Sequence, residues 1–320
     1  MQANTSSPLL SIVLPIYNEE ENILPLMEEI SAALRGAGRS FEVIAVDDGS
    51  RDNSLEVLRQ ATTKYPELRV LRFWKNAGQS AAFDAGFRAA KGKILVTMDA
   101  DRQNDPKDIL KLLAKMEEGY DFVTGWRKDR QDGFFLRTFP SKIANFIIRK
   151  VTRTRFHDLG CSLKMYRREI TDRLYLYGEM HRFISVLVEM LGARVAEMEV
   201  NHRPRVAGVS KYNLSRTFKV MFDLMTIWFF QRFQTKPIYV FGTAGAFSIF
   251  TGLILCVVVL YQKYFLDVFV HRNPLFLIAI FSLVVAVQFL FMGIIAEVLM
   301  RTYFESQGQR PYSIREEIQG

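Results

Sequence analysis

The sequence predicts an α/β protein with a mostly parallel, doubly wound sheet, followed by an α-helical hairpin that spans a membrane twice. Short apolar runs typical of buried strands alternate with segments long enough for helices, which favours a parallel sheet. Residues 237–262 and 273–296 are two runs without a charged side chain. Roughly 20 apolar residues span a bilayer core, so each run is long enough to cross it. A buried pair of globular helices is the alternative, but both runs are too evenly apolar to favour it.

Four strands and the three helices between them follow from the apolar runs and their boundaries. Asn18 is predicted to cap the first helix, and the carboxylates after it suit the positive end of that helix. Gly36 and Gly38 are expected to end this helix. We expect strands at residues 9–15, 41–46, 68–73 and 94–96, with a later one at 195–200, and helices at residues 18–34, 54–65 and 80–90.

Polar side chains follow three of the predicted strands at the point where each strand ends. These side chains are Tyr17, Asn18 and Glu19 after the first strand, Asp47 and Asp48 after the second, and Asp99 and Asp101 after the fourth. The carboxyl ends of parallel strands meet at one edge of a sheet, where open α/β sheets bind ligands.

Asp99 and Asp101 are spaced so that an extended chain would direct both carboxylates the same way. Hard oxygen ligands of this kind suit Mg²⁺ or Mn²⁺ shared with substrate phosphates. The alternative is a polar loop that caps the next helix. The chain has no G-x-G-x-x-G after its first strand and no G-x-x-x-x-G-K-[ST]. NAD, FAD and P-loop chemistry are therefore disfavoured, which leaves a nucleotide site built from carboxylates and a metal ion.

Positive charge is concentrated in one part of the chain. The formal net charge is +8, and residues 127–173 hold 13 Lys and Arg against 5 Asp and Glu, a difference that equals the whole excess. Such a block suits nucleic acid, anionic lipid or a phosphorylated substrate. Residues 134–156 have the pattern of a basic amphipathic helix that lies on lipid, or of a packed surface helix. Cys161 and Cys256 fit no metal spacing, so we expect a reducing compartment and no disulfide.

The charges that flank the two apolar runs predict the topology of the hairpin. Lys263 and Arg272 lie between the runs, whereas Arg232, Lys236 and Arg301 lie on the side of the termini. The positive-inside rule then places the N-terminal domain and both termini in the cytoplasm. The N-terminus shows neither the basic region nor the apolar core of a signal peptide. We expect an integral protein of a bacterial inner membrane.

Seven segments together resemble family 2 glycosyltransferases of the GT-A fold. They are residues 12–20 (IVLPIYNEE), 46–50 (VDDGS), 76–78 (NAG), 98–103 (MDADRQ), 125–127 (GWR), 157–163 (HDLGCSL) and 208–212 (GVSKY). The last three narrow the resemblance to the polyprenyl-phosphate branch, which includes dolichol-phosphate mannose synthases and bacterial undecaprenyl-phosphate glucosyltransferases. The resemblance covers about residues 9–215, and the anchor looks most like glucosyl- and aminoarabinosyl-transferring members.

The resemblance implies a role for each matched residue. A metal ion, Mg²⁺ or Mn²⁺, would be held by Asp101 and Gln103, with Asp99 at the metal or the ribose. Arg127 would hold phosphate charge, although without the resemblance a solvated surface arginine is equally reasonable. The base and ribose of the nucleotide sugar would contact Pro15, Tyr17, Glu19, Asp48, Asn76, Gly78 and Asp99.

Asp158 would lie near the acceptor, and with Asp101 and Arg127 it completes the expected catalytic set. The acceptor is a phosphate monoester whose second pKa is about 6, so it is largely ionised at neutral pH. Asp158 is therefore expected to orient the acceptor or to take a residual proton. Arg203, Arg205 and Lys211 form a cationic loop that could close over the acceptor phosphate. A nucleic-acid patch is the rival reading of these charges, but no nucleic-acid motif is present.

The function that these expectations give is the inverting transfer of a hexose from a nucleotide sugar to a polyprenyl phosphate, with glucose from UDP-glucose and undecaprenyl phosphate as the first choices. Mannose from GDP-mannose, N-acetylglucosamine and aminoarabinose are alternatives, as is a non-catalytic membrane receptor for nucleotide sugars. A processive polysaccharide synthase would need more membrane helices and a Q-x-x-R-W motif, which the chain lacks. The expected organisation is a GT-A domain at 1–210, juxtamembrane helices at 211–236, two transmembrane helices within 237–300 (about 237–262 and 273–298), and a tail at 301–320 that could pair with another subunit.

Overall fold

A computed structural model describes residues 8–128, 154–176, 178–204, 229 and 237–306 of the chain. The chain divides into two compact units, Met1–Met225 and Thr226–Gly320. Most of the predicted amphipathic helix at 134–156, most of the juxtamembrane segment at 211–236, and tail residues 307–320 lie outside the described residues.

The first unit is built on a seven-stranded sheet with helices between its strands. Its strands are β1 (Leu10–Ile16), β2 (Phe41–Asp47), β3 (Leu68–Arg72), β4 (Ile94–Thr97), β5 (Phe122–Trp126), β6 (Lys164–Arg167) and β7 (Val195–Glu199). Its helices are α1 (Glu20–Gly36), α2 (Ser54–Lys64), α3 (Gln79–Ala89), α4 (Asp108–Glu117), α5 (Arg168–Thr171) and α6 (Ile184–Met190), with a 3-10 turn at Met180–Phe183.

The strands lie in the order β3-β2-β1-β4-β6-β5-β7. Every neighbouring pair is parallel except those of β6, which runs antiparallel to both β4 and β5. The carboxyl ends of β1, β2, β4 and β5 therefore share one edge of the sheet. This mixed sheet confirms the predicted α/β class and places the polar strand ends together.

Burial explains why these segments form these elements. β2 and β4 are buried along nearly their whole length, as expected for strands covered on both faces. Helix α1 buries one stripe, at Ile23, Met27, Ile30 and Leu34, with the helical spacing of three and four residues. Gly86 in α3 permits close packing on β1, because a Cβ there would lie 2.1 Å from Val13 Cγ1. A larger residue at this position would push α3 away from the sheet.

The five strands and three helices for which the sequence predicted bounds agree with the structure to within two residues at each end. One prediction about how α1 begins was wrong. Asn18 does not cap α1; it has a left-handed φ of 54°, and its Oδ1 accepts a hydrogen bond from the main-chain N–H of Arg51 at 2.8 Å. A side chain turned toward the neighbouring loop cannot reach the first turn of the helix. Helix α1 instead begins at Glu20 with no side-chain cap.

The second unit contains two long apolar helices, α7 (Ile238–Phe265) and α8 (Pro274–Ser306). The 28 residues of α7 extend about 42 Å at 1.5 Å each, more than a hydrocarbon core requires. The two helices pack as an antiparallel pair, with Gly245 beside Ala286 and Gly252 beside Ala279 and Leu283. Most of their large apolar side chains face outward. Both helices have the length and composition of membrane spans.

Candidate active site

The loops that follow β1 and β2 are joined by hydrogen bonds. The main-chain N–H of Asn18 donates to Ser50 Oγ at 3.1 Å, and that of Glu19 donates to Ser54 Oγ at 2.9 Å. The Glu19 carboxylate accepts from Asn22 Nδ2 at 2.7 Å. Pro15 lies in β1, and Tyr17 follows the strand directly. This side of the edge is thus a fixed, polar surface.

Asp48 binds the loop that connects β3 to α3. Its Oδ1 accepts from the Ala77 N–H at 2.6 Å, and its Oδ2 accepts from the Gly78 N–H at 3.0 Å and from Asn76 Nδ2 at 2.9 Å. Burial raises the pKa of this carboxyl group, and the two N–H donors offset only part of that effect. Three of the predicted nucleotide-site residues, Asp48, Asn76 and Gly78, therefore form one cluster.

Gly49 permits this cluster to form. It has a φ of +67°, and a Cβ at this position would lie 2.8 Å from the main-chain nitrogen of Asn76. The neighbouring Asp47 has a separate role, because its Oδ1 accepts from the Ser50 N–H at 3.0 Å and closes its own turn. Of the two adjacent carboxylates, only Asp48 reaches the loop at 76–78.

Asp99 lies in the short segment after β4, and Asp101 lies in the turn that follows it. Burial and, next, the charge of Asp101 raise the pKa of Asp99 to about 6. The Asp101 carboxylate also accepts from the Gln103 N–H at 3.2 Å. The three predicted metal ligands therefore lie together in the segment that follows β4.

Sequence reasoning missed two residues that hold Asp99. Gln79 at the start of α3 donates from Nε2 to Asp99 Oδ1 at 2.7 Å. On the other side, the Asp99 N–H donates to Ser162 Oγ at 3.3 Å, and the same hydroxyl accepts from Asn104 Nδ2 at 2.8 Å. Ser162 lies in the motif at 157–163 that carried the family resemblance, and Gln79 directly follows the motif at 76–78. Their partner could not be read from those motifs.

Arg127 and Asp158 form a two-point ion pair at the end of β5. Arg127 Nε lies 2.7 Å from Asp158 Oδ2, and Arg127 Nη2 lies 3.0 Å from Asp158 Oδ1. Although burial acts to lower it, the contacts with Asp158 raise the pKa of the Arg127 guanidinium above its ordinary value. The pair is therefore ionised, and Arg127 is not a solvated surface arginine.

A second buried cation lies beside this pair. Lys164, on β6, is 3% exposed, and its Nζ donates to the carbonyl oxygen of Leu159 at 3.2 Å. Burial lowers the pKa of Lys164 to about 8, against the opposing attraction of Cys161 and Asp158. No sequence argument singled out this lysine.

Arg203 is the one described member of the predicted acceptor-phosphate set, since Arg205 and Lys211 lie outside the described residues. Its guanidinium pairs with Glu29 and, at 2.7 Å, with Asp105 Oδ2. Its main-chain N–H donates to the carbonyl oxygen of Gln103 at 2.8 Å. Arg203 is thus anchored beside the turn that carries the predicted metal ligands.

The donor set fits a divalent metal ion. The Asp99 and Asp101 carboxylates lie close enough for the charge of Asp101 to raise the pKa of Asp99, and carboxylates and the amide of Gln103 are hard oxygen ligands. Among the described residues no cluster of three His, Cys, Asp or Glu side chains could hold a metal alone. Asp99, Asp101 and Gln103 would therefore hold the ion together with ligands from the substrate, as Mg²⁺ and Mn²⁺ permit.

A sheet of this topology, with a carboxylate pair after its central strand, has the architecture of a GT-A glycosyltransferase. The model of the family described as glycosyl transferase family 2 matches residues 11–175. The chain belongs to this family, as the motifs predicted.

Two curated relatives are similar over nearly the whole chain. The dodecaprenyl-phosphate galacturonate synthase of Rhizobium johnstonii is 39% identical over 96% of this chain and 92% of its own length. The undecaprenyl-phosphate 4-deoxy-4-formamido-L-arabinose transferase of Aeromonas hydrophila is 35% identical over 98% and 95%. Both are named as synthases or transferases of a polyprenyl-phosphate sugar.

Among solved structures, a glucosyl-3-phosphoglycerate synthase from Mycobacterium tuberculosis in complex with Mn²⁺, UDP and phosphoglyceric acid matches with a TM-score of 0.55. The match covers 70% of this chain and 78% of that chain at 18% identity. It therefore supports the fold of the catalytic unit.

Proposed function

We propose that this protein transfers a sugar from a nucleotide sugar to the phosphate of a membrane polyprenyl phosphate. The observation that carries the proposal is the convergence of Asp48, Asp99 and Asp101 at one sheet edge, with Arg127 at the end of β5. The relatives that match nearly the whole chain, including its two apolar helices, are named for polyprenyl-phosphate sugars. Both lines support one reaction class.

The donor nucleotide would occupy the β1 and β2 side of the edge. Pro15, Tyr17 and Glu19 would contact the base and ribose, together with the loop that Asp48 holds at Asn76 and Gly78. Asp99, Asp101 and Gln103 would hold Mg²⁺ or Mn²⁺, which when bound supplies Lewis-acid stabilisation of the negative charge on the departing diphosphate. Arg127 would bind phosphate charge through its guanidinium.

The reaction would be a single inverting displacement. An oxygen of the acceptor phosphate attacks the anomeric carbon, the bond from that carbon to the donor phosphate breaks, and the electron pair leaves with the nucleoside diphosphate. The protein supplies proximity, since the domain holds a soluble donor and the bilayer holds the lipid phosphate. We propose that Arg203 anchors the segment that brings Arg205 and Lys211 to the acceptor phosphate.

Several sugars are candidates for the transferred group, and two of them come first. Glucose from UDP-glucose is the first choice, because the chain as a whole resembles glucosyl-transferring members of the family. Galacturonate is the second candidate, because the relative named for it is 39% identical to this chain. Mannose, N-acetylglucosamine and aminoarabinose are further alternatives, and undecaprenyl phosphate is the proposed acceptor.

We place the catalytic domain and both termini in the cytoplasm of a bacterial cell, with α7 and α8 as the membrane anchor. The excess of Lys and Arg beside the termini supports this orientation. The main alternative function is a membrane receptor that binds nucleotide sugars without turnover.

Purified full-length protein in detergent, with undecaprenyl phosphate and a panel of UDP- and GDP-sugars, tests the proposal. The panel includes UDP-glucose and UDP-galacturonate, each with Mn²⁺ or with EDTA, and lipid products are identified by mass spectrometry. We expect one glycosylated lipid monophosphate that EDTA abolishes. Nucleotide-sugar binding without any lipid product would instead support the receptor.

A further inference from the structure

The carboxylate of Asp158 is occupied by hydrogen bonds on both oxygens. Besides the two guanidinium contacts, Oδ2 accepts from the Arg127 main-chain N–H at 3.2 Å, and Oδ1 accepts from the Gly160 N–H at 3.1 Å. The side chains of Asp158 and Arg127 are 6% and 12% exposed. A carboxylate in a bidentate pair directs its lone pairs at the guanidinium. Asp158 is therefore poorly placed to accept a proton from a substrate.

The turn that carries Asp158 is fixed from behind by a further carboxylate. Glu197, on β7, accepts from the main-chain N–H groups of His157 and Asp158, both at 2.9 Å to Oε1. Its Oε2 also lies 2.7 Å from His157 Nδ1, and the His157 ring stacks on Trp126 with 4.8 Å between centroids. Trp126 directly precedes Arg127, so Glu197 fixes both sides of the ion pair.

The guanidinium of Arg127 retains capacity for a ligand. Its Nη1 makes no hydrogen bond to any residue that the structure describes, whereas Nε and Nη2 hold Asp158. Gly160 leaves space for the guanidinium of Arg127, because a Cβ at position 160 would lie 3.2 Å from Arg127 Nη2. The pair is thus fixed on the side of Asp158, and within the described part of the chain the two N–H donors of Nη1 have no acceptor.

We propose that Asp158 is a positioning residue that acts through Arg127 and accepts no proton, and that Glu197 in turn positions Asp158. The inference rests on the proposed function, in which the acceptor is a phosphate monoester. Because that phosphate is largely ionised at neutral pH, the displacement balances without transfer of a proton to the protein. The geometry assigns the contact with phosphate to Arg127.

A double-mutant cycle separates the two roles, using lipid product formation by the full-length protein with the donor found active. Asp158→Asn should lower kcat about 10- to 100-fold, the range expected for loss of a hydrogen bond to a charged group. In an Arg127→Gln background, Asp158→Asn should cost less than about threefold, because the residue it positions is gone. An equal loss in both backgrounds would overturn the proposal.

The pH dependence gives a second readout, which separates a positioning residue from a proton acceptor. A proton acceptor at 158 would make kcat/KM of Asp158→Asn rise steeply with pH relative to the unchanged protein. Positioning predicts parallel pH profiles for the two proteins. A recovery of Asp158→Asn at high pH would therefore refute the inference.

Glu197→Gln keeps both members of the pair and tests the inference even if Asp158→Asn does not fold. It should lower kcat with a parallel pH profile, and unchanged kcat would remove Glu197 from the proposal. The matched control is Asp121→Asn. Asp121 pairs with Arg167 and directly precedes the first residue of β5, at the end of the strand away from Arg127, so this change should leave kcat unchanged. If the unchanged protein yields no lipid product with any donor, the proposed function fails. If the unchanged protein is active but the double-mutant cycle shows equal losses, only the inference about Asp158 fails.

Discussion

The two sides of the candidate site use carboxylates in different ways. On the β2 side, Asp48 binds main-chain N–H groups and an amide, so its partner is a loop. On the β5 side, Asp158 binds a guanidinium, and Lys164 adds a second buried charge. Asp99 and Asp101, after β4, lie between the two in the order of the sheet.

This difference teaches which property each side controls. A carboxylate that holds a loop determines shape, so its loss should alter the binding of the donor. A carboxylate that holds a cation determines where charge lies, so its loss should alter turnover. Each of the following predictions sharpens or breaks this distinction.

The largest effect is expected between the two sides, at Asp101. Asp101→Asn removes one of two carboxylate ligands, and we expect more than about a 1,000-fold loss of sugar transfer, since the metal supplies several kcal/mol to the transition state. Mn²⁺ binding measured by electron paramagnetic resonance should weaken in parallel. Asp84→Asn, on the surface of α3, is the control. Full activity of the unchanged protein in EDTA would contradict a shared metal.

On the β5 side, Lys164 should make stability depend on pH. Its pKa is lowered to about 8 in the folded protein, so between about pH 8 and 10.5 the unfolded chain binds more protons, and stability rises with pH. The buried charge of Lys164 thus destabilises the folded protein by at most about 3 kcal/mol, and this cost is constant below pH 8. Lys164→Met should remove it, as measured by denaturant unfolding of the detergent-solubilised protein. Identical pH slopes for both proteins would show that this charge is not buried in solution.

On the β2 side, Asp48→Ala should weaken nucleotide binding about 100-fold, because it leaves the N–H groups of Ala77 and Gly78 without their acceptor. Isothermal titration with UDP or the active nucleotide measures the affinity. Asp158→Asn should leave that affinity nearly unchanged. If the two variants weaken binding equally, the distinction between the two sides fails.

The smallest effect is expected at Gln79, which joins the β2 side to Asp99. Gln79→Leu removes the hydrogen bond to Asp99 and should weaken Mn²⁺ affinity about 10-fold, as is usual for partners of metal ligands. Gln60→Leu makes the same change on the exposed surface of α2 and serves as the control. Unaltered Mn²⁺ affinity in Gln79→Leu would show that Asp99 is held by other contacts.

The sequence was sufficient for the features that depend on local pattern. Apolar runs located β1 to β4, and the residues directly after them identified Asp48, Asp99 and Asp101. The charge-free runs located α7 and α8, although α8 continues eight residues past its expected end at 298. Each of these inferences needs only neighbours in the chain.

Features that depend on distant partners were not predictable. Strand β6 has four residues, two of them basic, and it enters the sheet between β4 and β5 only through tertiary pairing. Glu197 lies 39 residues beyond the Asp158 N–H that it accepts. Asn18 satisfies both the pattern of a helix cap and that of a loop contact, and only the position of Arg51 decides between them.

The way in which Asp48 holds its loop also bears on how this site can evolve. A carboxylate that binds the N–H groups of residues 77 and 78 does not discriminate among side chains at Ala77, which is exposed. Sequence drift at this position therefore leaves the clamp intact. The loop at 76–78 can acquire new side chains one mutation at a time while its backbone keeps its place. If the loop contacts the donor as proposed, the family can keep this backbone while the side chains that select the donor change.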